Sequence, residues 1–246
     1  MTELPIQTRS IELHPETTKA HAHATIGAFE ARPSDDSKII GGVVIIQEIF
    51  GVNQHFKRLS EHYAKKGYWV ICPTYFDHAE KDLVLPYDQS GVTKGVATVQ
   101  EIGFDQMVLD TKCAGTELHK LMAAAMPGKK YGVGVVGFCL GGSLAWAVSA
   151  KTTGIFQAAS AYYGGQVPEM KEMKPHNPII LHFGKKDDHI RLTGVDALRK
   201  IHPEIPVYLY DAGHGFNCED KPEYNAAAAK LAEDRTLELF AKALNQ

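Results

Sequence analysis

Residues 132–146 read GVGVVGFCLGGSLAW. A short valine-rich run ends in Gly137-Phe138-Cys139-Leu140-Gly141, and the spacing predicts a strand over 131–136 and a helix over 140–150. A thiol therefore stands at the junction, with glycine two positions to either side. A turn that sharp crowds its neighbours, so glycine flanks avoid clashes, and the turn lifts its central side chain above the sheet. The helix N-terminus that follows favours a developing anion and lowers a thiol pKa from its usual value of about 8.5. On its own such a turn serves packing as readily as chemistry, because cysteine is also a small buried hydrophobe.

The same stretch holds Gly132, Gly134 and Gly137 at G-x-G-x-x-G spacing. A dinucleotide fingerprint follows its strand and has an acidic residue about 20 positions on. Here the glycines bracket the strand itself, and the first acid after Gly137 is Glu169. No nucleotide cofactor is expected.

Working outward, short β-branched runs alternate with amphipathic stretches. Residues 22–32 predict an early antiparallel strand, and 38–49 a strand buried on both faces. Strands are also expected at 68–73, 158–163, 178–183 and 206–210, and helices at 53–67, 105–126, 193–201 and 222–244. This alternation implies a single α/β domain over 1–246, a mostly parallel sheet with helices on both faces and its ligand site at the carboxyl ends of the strands. Residues 74–104 fit the alternation badly and read as an irregular excursion over that site.

The 246 residues are 44% hydrophobic and 22% charged, with a net charge of -3. Nothing in that balance would hold a phosphate backbone, so no nucleic-acid partner is expected. No apolar run reaches the roughly 20 residues of a spanning helix, and the N-terminus has no signal-peptide pattern, so no membrane partner is expected. Cys72, Cys113, Cys139 and Cys218 are scattered without C-x-x-C pairing, which suits free thiols in a reducing cytoplasm. His21 and His23 would share a strand face, but no third ligand accompanies them and no metal is expected.

Two further motifs sit at strand ends. HFGKKDDHI (182–190) offers Asp187 and Asp188, and YDAGHGFN (210–217) offers His214 between glycines. The order Cys139, Asp187, His214 is nucleophile, acid, histidine, with each member just past a strand. His214 would take the thiol proton, and Asp187 would hold the imidazole tautomer. Either alone reads as an ordinary turn residue. In IIQEIFGVN (45–53), Glu48 ends a run that is otherwise buried, so its carboxylate needs a partner or a raised pKa.

Together QEIFGVN, GFCLGG, GKKDDHI and AGHGF resemble the dienelactone hydrolase family of α/β-hydrolases, from about residue 20 to the C-terminus. The resemblance implies an α/β-hydrolase fold, with Cys139 as nucleophile, His214 as base and Asp187 as orienting acid; counting from Gly184, the G-x-x-D turn selects Asp187 over Asp188. It further implies that Glu48 controls the protonation of the thiol. The oxyanion hole would be the backbone N–H groups of Ile49 and Leu140. Tyr162 and Tyr163 resemble a family tyrosine near the pocket, and Tyr163 is the candidate for substrate binding.

The choice of sulfur constrains the substrate. Thiolate leaves a tetrahedral intermediate more readily than an ordinary alkoxide, so simple esters revert, whereas an enol ester or lactone goes forward to an acyl-enzyme. The expected substrate is a small activated ester or enol lactone. A general carboxylesterase, a thioesterase or a non-catalytic thiol-based binding or redox-sensing protein are the alternatives. Family members that act on dienelactone use arginines to grip its carboxylate. This chain has none between Arg58 and Arg191, and Cys218 stands where one is usual, four residues after His214. Lys81 and Lys94, in the excursion, are the candidate substitutes, without arginine's bidentate fork.

Overall fold

The β-branched runs form one eight-stranded sheet. In the computed structural model, which describes residues 3–18 and 25–244, the strands are β1 Ile6–Leu13, β2 Ile26–Pro33, β3 Gly41–Ile46, β4 Tyr68–Pro73, β5 Val133–Phe138, β6 Ala158–Tyr162, β7 Ile179–Gly184 and β8 Val207–Tyr210. His21 and His23 lie outside the described residues. The spatial order is β1-β2-β4-β3-β5-β6-β7-β8. β1, β2 and β4 pair antiparallel, and every other pairing is parallel. β3, β4 and β5 are buried along their whole length, as strands covered on both faces must be.

The helices are α1 Gln54–Lys65, α2 Gln89–Ile102, α3 Phe104–Ala125, α4 Leu140–Lys151, α5 Leu192–Ile201 and α6 Ala226–Leu244. Adjacent residues of a strand point to opposite faces. A Cβ on Gly41 would meet Leu244 of α6, and one on Gly42 would meet Leu118 of α3. These helices therefore cover opposite faces of β3, and both approach so closely that the strand carries glycine there. α1 joins α6 through His62–Glu233, and α4 lies behind β5 with residues 140–149 buried. The mostly parallel sheet with helices on both faces is the architecture the sequence implies.

Two segments depart from the sequence expectation. β1 went unread because IQTRSIEL lacks alternation: it is an edge strand that fully buries only Leu13. It is held by eight antiparallel register pairs and by Arg9 opposite Glu30, with Nε to Oε2 at 2.9 Å. The 74–104 stretch is not irregular throughout, because it contains α2 after a 3-10 turn at Tyr75–His78. The buried face of α2 is Gly91, Gly95, Thr98 and Ile102. Three of those four residues are small or polar, so no apolar stripe betrays the helix.

Behind β6 and β7 runs a buried polar chain. His182 Nδ1 meets the Tyr210 hydroxyl at 2.7 Å and Nε2 meets Ser160 Oγ at 3.1 Å, while Thr236 joins Ser160 and the Tyr162 hydroxyl at 2.8 Å each. Burial, with a smaller contribution from Arg235, pushes the His182 pKa down to about 3, so the ring is neutral in the fold. The unfolded chain binds a proton here near 6.5 and the folded chain does not, so this group's stability contribution is complete above pH 6.5 and declines as pH falls toward 3. Between pH 6 and 5, above the carboxylate range, denaturant titration should show a loss of about 1 kcal/mol from this group. His182→Gln should flatten that slope; an unchanged slope would refute the assignment.

Candidate active site

β5 delivers Phe138 to its end and α4 begins at Leu140, leaving Cys139 as the single residue of the turn. Its backbone has φ 54° and ψ -111°, a conformation that costs a non-glycine residue of order 1–3 kcal/mol. The surroundings hold it there. Cys139 N–H donates to the Tyr162 carbonyl at 3.0 Å, and Gly141 N–H donates to the Gln47 carbonyl at 3.1 Å. A Cβ on Gly137 would stand 1.9 Å from the Gly141 carbonyl oxygen, and one on Gly142 would stand 2.4 Å from that of Tyr162. The glycines around the thiol are thus set by close backbone approach. The Gly141–Gln47 bond also ties the elbow to the loop bearing Glu48 and Ile49.

Asp187 and His214 come from the turns after β7 and β8. Asp187 Oδ2 accepts from His214 Nδ1 at 2.8 Å, while Asp187 Oδ1 accepts the N–H groups of His189 at 2.8 Å and Ile190 at 3.1 Å. Burial alone would raise the Asp187 pKa, but these donors outweigh it and hold the carboxyl below its usual range. Asp188 is exposed. For His214, burial pulls the pKa down, yet the bond to Asp187 and the hydrogen-bonding and Coulombic influence of the Cys139 sulfur raise it to about 10. The Tyr163 and His189 rings lie 5.1 and 5.0 Å from the imidazole between centroids.

Glu48 is completely buried, and its partner is Lys221, with Nζ 2.5 Å from Oε2. Glu48 Oε1 has no hydrogen-bond partner. The ammonium is capped by the rings of Phe50 at 4.7 Å and Tyr87 at 4.8 Å. Burial would lower the Lys221 pKa; the Glu48 carboxylate, and more weakly the Cys139 charge, raise it instead. Tyr87 accepts from Asn53 Nδ2 at 2.8 Å and from the buried Cys218 thiol at 3.3 Å. Burial pushes the Cys218 pKa up, with the Glu48 charge adding to it.

Tyr163 is buried with φ 38°, and its hydroxyl has no hydrogen-bond partner. Burial, followed by the charges of Glu48, Cys218 and Cys139, raises its pKa far above the usual value. The N–H groups of Ile49 and Leu140 have no acceptor among the described residues. Of the candidate cations, Lys94 is exposed and paired with Glu80 at 3.4 Å. Lys81 lines a cavity of about 510 Å³ against the β1–β2 edge, and another of about 410 Å³ lies between α1 and α6. Neither is lined by Cys139, Glu48 or His214.

Lys221 is the residue that sequence reading missed. It lies seven positions past His214 in NCEDKPEY, where a lysine reads as a solvated loop charge. The only signal was the unmet need of Glu48 for a partner.

A sharp strand-to-helix turn bearing a thiol, with an acid–histidine pair from the ends of the last two strands, defines an α/β-hydrolase. The dienelactone hydrolase family model matches residues 26–244, and the chain belongs to that family. It is 29% identical over 224 residues to carboxymethylenebutenolidase 1 of Cupriavidus pinatubonensis, covering 87% of this chain and 91% of that one. It is 28% identical over 204 residues to the carboxymethylenebutenolidase of Pseudomonas sp. strain P51, covering 80% and 83%. Among solved structures, a dienelactone hydrolase-like promiscuous phosphotriesterase from metagenomic libraries superposes with a TM-score of 0.72 at 18% identity, covering 97% of this chain and 99% of that one. No described helix is long and apolar enough to cross a membrane.

Proposed function

We propose that this hydrolase cleaves a small activated ester or enol lactone through a Cys139 acyl-enzyme. The observation that carries the reading is the lifted Cys139, whose sulfur raises the proton affinity of an imidazole already bonded to Asp187 at 2.8 Å. The thiol proton passes to His214, and the sulfur attacks the acyl carbon. The carbonyl electron pair moves onto oxygen, which accepts from the free N–H groups of Ile49 and Leu140. The C–O bond then breaks, His214 hands its proton to the departing enolate oxygen, and the neutral enol or ketone product leaves. Water, its proton taken by His214, attacks the thioester and returns the thiolate.

Glu48 has a free carboxylate oxygen and governs the protonation of the thiol. Tyr163 lines the acyl side with its unpartnered hydroxyl. Two relatives are named carboxymethylenebutenolidase, which favours a lactone bearing its own carboxylate. In place of the absent arginines, Lys221 holds that carboxylate, since it is the largely enclosed cation beside the site. The test is mass spectrometry after mixing with an activated aryl ester. A transient adduct on Cys139 is expected, and modification elsewhere or none would overturn the reading.

Lys221→Met should separate substrates by charge. A charged hydrogen bond contributes about 1.5–3 kcal/mol, so KM for a carboxylate-bearing lactone should rise about 10- to 100-fold. A neutral aryl ester assayed on the same variant should be affected far less, which removes any general loss of folding from the comparison. Equal losses on both substrates would remove Lys221 from substrate binding.

A further inference from the structure

The segment from Leu83 to Gly95 lies across the loop that carries Ile49 and touches it repeatedly. A Cβ on Gly51 would stand 2.2 Å from the Leu83 carbonyl oxygen. Leu85 N–H donates to the Phe50 carbonyl at 2.9 Å. The Tyr87 ring packs on Phe50 at 4.8 Å, and its hydroxyl takes the Asn53 bond. Further along, a Cβ on Gly95 would stand 2.2 Å from the Ile49 carbonyl oxygen and 3.3 Å from the Ile49 Cβ.

Gly95 sits inside α2, where glycine costs about 1 kcal/mol relative to alanine. Its φ is not in the left-handed region, so backbone conformation does not demand glycine there. Contact does, because the helix rests directly on the Ile49 peptide. On the other side of the same loop, the Gln47 carbonyl is pinned by Gly141 N–H at 3.1 Å. The Ile49 N–H therefore lies between two anchored carbonyls, one tied to the nucleophile elbow and one pressed by α2.

We propose that Gly95 is a positioning residue: it lets α2 seat the Ile49 N–H toward the oxyanion. This rests on the reading of that N–H as an oxyanion donor, given above. A methyl group at position 95 must push helix and loop apart, and a misplacement of about 1 Å at a reacting centre costs about 100-fold.

Two reactions of Cys139 separate positioning from general damage. Acylation by p-nitrophenyl acetate forms an S–C(acyl) bond, releases nitrophenolate and passes through an oxyanion. Alkylation by iodoacetamide forms an S–CH2 bond, releases iodide and builds no oxyanion. In Gly95→Ala, acylation of Cys139 and kcat should fall about 10- to 100-fold with KM unchanged, while alkylation stays within about twofold of the parent. Val96→Ala, on the exposed side of α2, should change neither. Should Gly95→Ala fail to fold, Tyr87→Phe removes the Asn53 bond and keeps the ring; it should lower the acylation-to-alkylation ratio in the same direction. Parallel loss of both reactions, or loss of neither, overturns the proposal. A parent protein that is never acylated at Cys139 overturns the proposed function instead.

Discussion

Exchanging Cys139 for serine is expected to lower turnover of an activated ester by about 1000-fold or more, although a hydroxyl remains at the nucleophile position. Oxygen bonds closer to Cβ than sulfur and is a far weaker acid. The hydroxyl therefore sits back from an imidazole whose proton affinity, near 10, depends partly on the sulfur beside it. Serine works in triads of this order elsewhere, but a hydroxyl is so much weaker an acid than a thiol that Glu48, buried beside the elbow, leaves it with even less ionised form to react. The measurement is kcat with Cys139→Ala as blank, together with mass spectrometry for an acyl adduct. A serine variant within tenfold of the parent would end the case for a thiol-specific site.

The second large effect is expected at Asp187. Its carboxylate touches no substrate in the proposed reaction, yet it fixes the tautomer of His214 by accepting from Nδ1 and is itself fixed by two backbone N–H groups. Asparagine keeps the shape and presents the wrong hydrogen-bonding partner, so Asp187→Asn should cost about 10,000-fold in kcat. The sign of the accompanying pKa change follows from the opposing influences on His214. Burial lowers the pKa, and Asp187 and the sulfur raise it to about 10. Removing the carboxylate shifts the balance toward burial, so the imidazole should titrate well below the parent value. Proton NMR of the ring through a pH series measures this directly. A pKa still near 10 in the variant would mean that Asp187 does not set the charge on the histidine.

The elbow, the acid and the histidine were legible in the sequence for one reason. Each needs an abrupt turn at a strand end, and abrupt turns leave glycine at Gly137, Gly141, Gly184, Gly213 and Gly215. Glu48 was legible as an anomaly, a charge at the end of a run too apolar to carry one. Lys221 was not, because a lysine's meaning depends on what the loop folds against, and local sequence does not encode that. α2 escaped for a different reason. Three of the four residues on its buried face are glycine or threonine, so backbone can meet backbone and only Ile102 adds bulk to a pattern. β1 escaped because an edge strand with mostly wet side chains has almost no pattern to find.

The left-handed backbone at Cys139 suits glycine better than any other residue, since only a hydrogen would face the crowding that a Cβ meets there. Selection for thermal robustness alone would therefore favour emptying that position. In the proposed reaction, the need for a sulfur nucleophile is what opposes that change. A lineage freed from its chemistry would harden as it fell silent.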